Sequence, residues 1–481
     1  MDRSKRPIED DGPLNWPGRG YSWYLVMVLA FAYMLSHIDR QVINLLVVPI
    51  KRDLGVSDTQ ISLLLGFSFA IFYAIAGLPI ARLADRANRK VIITAGVTVW
   101  SMMTALSGVT KAYWQLLLVR IGVGVGEATL TPAAYSIMAD CFPRRSLARA
   151  IGIYSMGGAA GGGMSLIIGG VVLDWAESLG DISIPIIGNL YSWQVVFFVV
   201  GLPGLLLATL IGLTVREPLR RYQGSDKTGD AIPLSEAFIF LNTNRKAFAA
   251  IFGGVAITCM AGFGAAAWMP TFFIRYHGWK AGEVGLVFGL IAMTTSAVSA
   301  LGSGWIGDKL YSRGIKDAAL RVSAISAVIG IVPMTIATLV TSSVAALILY
   351  GFGSLFLLAP FILGPTAVQM ATPNRLRATV SAVYLFIINL VGMGLGPMLV
   401  ALQTDYVFQD ESKLGYSIAL LYFVSLGTSA FIYWRGMPAF RATMSSDHPG
   451  TGIRGEPGKK RGKISRESID PHHTVTTLEG G

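Results

Sequence analysis

The sequence predicts an all-α integral membrane protein with twelve transmembrane helices in two pseudo-symmetric six-helix bundles. Three observations carry this: apolar blocks of span length, a Lys and Arg count that alternates from loop to loop, and motifs recurring in corresponding loops of the two halves. Of the 481 residues, 53% are hydrophobic and only 14% charged. Soluble domains carry roughly 25% charged residues, so this chain cannot cover an ordinary water-facing surface. A soluble enzyme and a nucleic-acid-binding module are excluded. Two cysteines, Cys141 and Cys259, make no disulfide framework. The net charge of +11 reflects membrane topology before any anionic partner.

A helix crossing a bilayer needs about 20 predominantly apolar residues. Such runs fall at 23–49, 59–80, 91–110, 113–139, 147–173, 193–215, 247–274, 284–304, 320–340, 345–370, 378–402 and 414–434. They are continuously apolar, unlike the alternating segments of a barrel. The first is too long for a signal-peptide core. Of the 39 Lys and Arg, 31 lie in or beside the N-terminus, the even-to-odd loops and the tail, and six lie on the opposite side. Both termini are therefore expected in the cytoplasm. The remaining two, Arg40 and Arg120, lie inside spans.

The expected organisation is an N-terminal segment (1–22), a first bundle (23–216), a polar linker (217–245), a second bundle (246–435) and a disordered basic tail (436–481). The loop after span 2, Leu83-Ala-Asp85-Arg86-Ala-Asn88-Arg89-Lys90, is echoed after span 8 by Gly307-Asp308-Lys309. Pro143 before span 5 is echoed by Pro373 before span 11, and Tyr154 then matches Tyr384. Duplicated halves with a site between them are typical of secondary transporters. Trp175 to Ser192, with Ile182, Ile184, Ile186 and Ile187, reads as an interfacial outer loop.

The motif around Asp85 resembles the cytoplasmic signature of the major facilitator superfamily, with Ala81 and Asn88 where Gly is common. His37-Ile-Asp39-Arg40 in span 1 and Arg120-Ile-Gly-Val-Gly-Val-Gly-Glu127 in span 4 resemble its spinster-like branch. The resemblance covers 20–435 and implies alternating access between two bundles. Animal spinster proteins move sphingosine phosphate, lysophospholipids or related lipids, so a small or lipid-like amphipathic substrate is implied. It also implies that Asp85, Arg86, Arg89 and Asp308 are gating machinery, in which a carboxylate accepts backbone N–H bonds at a helix N-terminus.

The buried charges are the most informative residues, because a charge at the bilayer centre costs at least about 2.5–3.5 kcal/mol. Asp39, Arg40, Arg120 and Glu127 all belong to the first half. The middles of spans 7–12 hold neutral groups such as Asn389, Gln369, Tyr384 and Thr366. At about 1.5 Å per residue, Asp39, Arg40 and Arg120 reach similar depths and Glu127 lies roughly 10 Å deeper than Arg120, on the same face. The expected arrangement pairs Asp39 with Arg120 and opens Glu127 to a central cavity, with Arg40 nearby.

Desolvation favours the neutral form of a carboxylate and a nearby arginine favours the charged form. Glu127 and Asp39 are thus the candidate proton carriers. Arg40 and Arg120 are candidates for ion pairing or for an anionic headgroup, which the guanidinium fork suits. Tyr154, Tyr384 and Asn389 complete the substrate candidates; His37 is expected to make a local hydrogen bond. An uncoupled uniporter or exchanger, and a ligand sensor on the same fold, stay open. The five His show no nucleophile–base pair or metal cluster, so no cofactor, metal or enzymatic reaction is expected. The expected partners are substrate, protons and membrane lipids, with the protein a monomer.

Overall fold

A computed structural model describes residues 16–180, 182–184, 188–220, 234–373 and 376–445. Among the described residues twelve helices are long and apolar enough to cross a membrane: span 1 (Arg19–Leu45), 2 (Asp58–Ala84), 3 (Arg89–Ser107), 4 (Tyr113–Cys141), 5 (Ser146–Ser178), 6 (Ser192–Thr214), 7 (Arg245–His277), 8 (Ala281–Ser312), 9 (Ala318–Ala337), 10 (Ser343–Ala371), 11 (Thr379–Phe408) and 12 (Glu411–Met444). They follow the apolar runs because a chain in hydrocarbon must satisfy every backbone group within itself. Ser57 and Gln60 form a reciprocal capping box opening span 2, and Asn88 Oδ1 accepts the Val91 N–H at the start of span 3. Gly278 closes span 7 with a φ of +69°, a left-handed cap that glycine adopts without strain.

Three features go beyond the expected outline. The helix of span 12 runs on to Ser445, past the boundary at 435. The linker holds a helix, Leu234–Thr243, while residues 221–233 lie outside the described residues. The outer loop forms a hairpin, β1 (Ile182–Ile184) antiparallel to β2 (Gly188–Leu190), with Ser183 opposite Asn189. Ile186 and Ile187 lie outside the described residues.

Several spans are interrupted within the membrane. Span 1 is α-helical to Gln41 and then tightens into a 3₁₀ turn, Val42–Leu45. Span 4 breaks between Glu127 and Leu130, and its counterpart span 10 breaks between Leu357 and Ala359, as pseudo-symmetry requires. Spans 2 and 11 each carry a π-helical stretch, Leu63–Phe67 and Asn389–Leu395. These two stretches meet: a Cβ on Gly66 would lie 2.0 Å from the Met393 carbonyl oxygen. Only glycine lets the helices approach so closely. Beside them spans 5 and 8 pack through Gly163, Gly170, Gly285 and Gly289.

Among the described residues, hydrogen bonds and ion pairs between the halves gather at the end opposite Arg19. Asp58 accepts both Nη atoms of Arg275 (2.8 and 2.9 Å) and Lys51 Nζ (2.7 Å). Lys51 also meets Glu411 at 2.7 Å. Asp405 accepts the Thr59 N–H (2.7 Å) and hydroxyl (2.6 Å), and Asp174 accepts the Gly282 N–H at 3.1 Å. This end of the molecule is shut.

Candidate transport site within the membrane

The intramembrane charges come together between spans 1 and 4. Ser36 and Arg40 are four residues apart, so they share a helix face, and both reach Glu127. Glu127 Oε2 accepts from Ser36 Oγ at 2.8 Å, Arg40 Nε at 3.1 Å and Arg40 Nη2 at 2.5 Å. The Glu127 side chain is fully buried, while that of Arg40 keeps 15% of its exposure.

This corrects the expected pairing. Arg120 does not bond the Asp39 carboxylate: its Nη1 donates to the Asp39 carbonyl (3.0 Å) and its Nη2 to the Arg40 carbonyl (3.3 Å). The reason lies in span 1. Its α-helix ends at Gln41, and the last carbonyls of a helix lack partners within it. A guanidinium placed there supplies donors and opposes the negative end of the helix dipole. Glu127, expected to face the cavity, is sealed, and Arg40 is the member of the cluster left partly open.

The Asp39 carboxylate makes no ion pair among the described residues. Its Oδ2 accepts from Thr104 Oγ1 of span 3 at 3.3 Å, and Oδ1 has no hydrogen-bond partner among the described residues. Glu127 Oε1 is likewise unpartnered. A buried acceptor left unpaired costs about 1–3 kcal/mol, more if charged. Ser36 and Thr104 were not legible as site residues, because a lone hydroxyl in an apolar run usually bonds its own helix.

An aromatic wall continues from Arg40. Its guanidinium carbon lies 4.3 Å from the ring centre of Phe69 and 5.4 Å from that of Tyr73, distances at which a cation is attracted to a ring face. Tyr33 stacks on Tyr154 at 4.5 Å, Tyr135 meets Tyr154 edge-on at 5.5 Å, and the Tyr154 hydroxyl lies 3.1 Å from Thr131 Oγ1. His37 Nδ1 bonds the Tyr33 carbonyl at 3.0 Å, the local contact expected of it. Tyr154 is buried in this stack, and Tyr384 is buried in the other half against Phe252 at 5.7 Å. The paired tyrosines therefore brace their own bundles rather than face open space. Asn389, partly exposed, begins the π-helical stretch of span 11, a distortion frequent at functional sites.

The expected gating residues separate. Arg89 is buried and binds Asp140 Oδ2 (2.5 Å), Ser136 Oγ (2.9 Å) and Glu217 Oε1 (2.7 Å), tying the loop after span 2 to span 4 and to the chain leaving span 6. Arg220 Nη2 donates to the carbonyls of Ala84 (2.9 Å) and Ala87 (2.5 Å) at the end of span 2. Arg86 and Asp308 are exposed. The side chain of Asp85 lies outside the described residues.

Comparison with known proteins agrees with this architecture. Residues 29–397 match the model of the Major Facilitator Superfamily. An MFS-type efflux pump of Mycolicibacterium smegmatis is 30% identical over 87% of this chain and 94% of its own length. The sphingosine-1-phosphate transporter of Danio rerio is 25% identical over 82% of this chain and 80% of its own. A crystal structure of a bacterial homolog to the human lysosomal transporter spinster, inward-facing and unoccupied, superposes with a TM-score of 0.73 at 28% identity, covering 89% of this chain and 98% of that one. The chain belongs to the Major Facilitator Superfamily, as a spinster-like transporter.

Proposed function

We propose that this protein is a secondary active transporter of an amphipathic, lipid-like anion, working by alternating access and coupled to protons through Glu127 and Asp39. The observation that carries this reading is the Arg40–Glu127 pair, with Arg40 partly open and Glu127 sealed. An anionic headgroup arriving at Arg40 competes with Glu127 for one guanidinium. Substrate therefore binds better when Glu127 is protonated, and the two binding events are linked. Asp39, whose carboxylate makes no ion pair among the described residues, is the second proton carrier in this reading.

The lipid-like substrate is supported by the zebrafish relative, named for sphingosine-1-phosphate, and by the aromatic wall beside Arg40. We further take both termini as cytoplasmic, on the Lys and Arg asymmetry of the loops. The shut end is then the outer one, and the conformation is inward-facing. The bundles 23–216 and 246–435 rock about the central site, joined by 217–245, in a monomer. Arg89 holds the gating loop to its own bundle, and Arg86, Asp85 and Asp308 engage when the inner end shuts.

The test is flux of a panel of lysophospholipids and sphingoid phosphates in proteoliposomes, with and without an imposed pH gradient. Proton coupling requires accumulation that follows the gradient. An uncoupled exchanger would show equal flux in both, and a sensor would bind without turnover.

A further inference from the structure

We infer that a pocket between the ends of spans 1 and 6 binds the headgroup of an anionic phospholipid, at a place separate from the transport site. The cavity is about 400 Å³, lined among others by Tyr21, Tyr24, Thr214, Arg216 and Glu217. Its walls are fixed by two bonds between the spans. The Tyr21 hydroxyl accepts the Arg216 N–H at 2.6 Å. The Tyr24 and Thr214 hydroxyls lie 2.6 Å apart. Thr214 donates to the Leu210 carbonyl at 2.7 Å, so Tyr24 is the donor to Thr214 and keeps its own lone pairs open.

These bonds hold the backbone of Arg216 and leave its guanidinium exposed, without a partner among the described residues. The nearby carboxylate does not cancel it. Glu217 is engaged by Arg89 Nε at 2.7 Å and the Lys90 N–H at 2.9 Å. Arg19, beside the lining Gly18, is also exposed and unpaired among the described residues. The pocket thus presents two exposed arginines, while its lining carboxylate, Glu217, is held by Arg89 and the Lys90 N–H.

The surroundings select a lipid rather than a soluble anion. Tyrosines at a span end sit at headgroup depth, with an apolar ring and a wet hydroxyl. Below the pocket Leu206, Leu210 and Leu213 of span 6 and Met27 of span 1 are exposed, a rail for acyl chains. A guanidinium binds a phosphate diester through two parallel N–H bonds. Basic pockets between spans on the cytoplasmic side suit the anionic lipids of that leaflet. The leaflet assignment rests on the sidedness proposed above; the pocket and its ligand class do not.

The test is native mass spectrometry of the full chain in detergent with equimolar phosphatidylglycerol and phosphatidylcholine. The expected result is preferential retention of phosphatidylglycerol, lowered about fivefold by Arg216→Gln, the effect of one basic residue at an anionic surface. Thr214→Leu, which fills the pocket without altering charge, lowers it likewise and serves if Arg216→Gln fails to fold. Arg313→Gln, an exposed arginine of the other half, leaves it unchanged. Undiminished retention in both pocket variants, or an equal loss in Arg313→Gln, overturns the inference. So does full displacement by soluble glycerol phosphate, which would mark a free-phosphate site. Solubilised protein exposes both ends, so the result does not depend on sidedness or on transport.

Discussion

Arg40 Nη2 lies 2.5 Å from Glu127 Oε2, an ion pair joining spans 1 and 4 with one partner fully buried and the other partly open. Removing one member of such a pair leaves the other charge uncompensated, at a cost of about 3–5 kcal/mol. Arg40→Gln is therefore expected to destabilise the protein by that amount. Arg40→Gln combined with Glu127→Gln regains most of the loss, because the double variant buries neutral amides. Thermal unfolding in detergent of the two single variants and the double variant checks this. Additive losses would mean the pair is not coupled.

The latch at the shut end depends on Asp58 receiving the fork of Arg275 and the ammonium of Lys51. Each hydrogen bond to a charged group contributes about 1.5–3 kcal/mol. Asp58→Asn disrupts the fork and is expected to shift the conformational equilibrium at least about tenfold toward separation of this end. Spin labels at Glu177 and Lys413, both exposed at this end, read it: the variant gains a longer-distance population by double electron–electron resonance. An unchanged distance distribution would show that the glycine seams alone hold the end shut.

Those seams make a separate prediction. Gly66→Ala puts a methyl group 2.0 Å from the Met393 carbonyl oxygen, whereas a Cβ on Gly152 meets nothing within 4 Å. Overpacking of this kind costs about 1–3 kcal/mol. The cost falls on the shut state, so Gly66→Ala lengthens the same label distance and Gly152→Ala does not. Both variants melting like the unsubstituted protein, with unchanged distances, would show that span 11 yields easily.

The spans were legible because apolar length is a direct demand of the bilayer. The four ions were legible because few residues are so costly to place there. Their pairing was not. It turns on span 1 leaving the α-helix at Gln41, with no proline or glycine between His37 and Leu46 to announce the change. With those carbonyls free, Arg120 goes to the backbone and Arg40 takes Glu127. The latch was hidden for another reason. Asp58 and Arg275 are 217 residues apart, and each reads alone as an ordinary charge at a span end. The helix Leu234–Thr243 was obscured by the polar chain around it.

The central claim is that Glu127 couples protons to movement of the substrate. Its direct measurement is substrate flux in proteoliposomes holding Glu127→Gln, compared with the unsubstituted protein under an imposed pH gradient and in exchange without one. The variant is expected to lose gradient-driven accumulation while still exchanging substrate across the membrane. Accumulation that follows the gradient undiminished in Glu127→Gln would contradict the account.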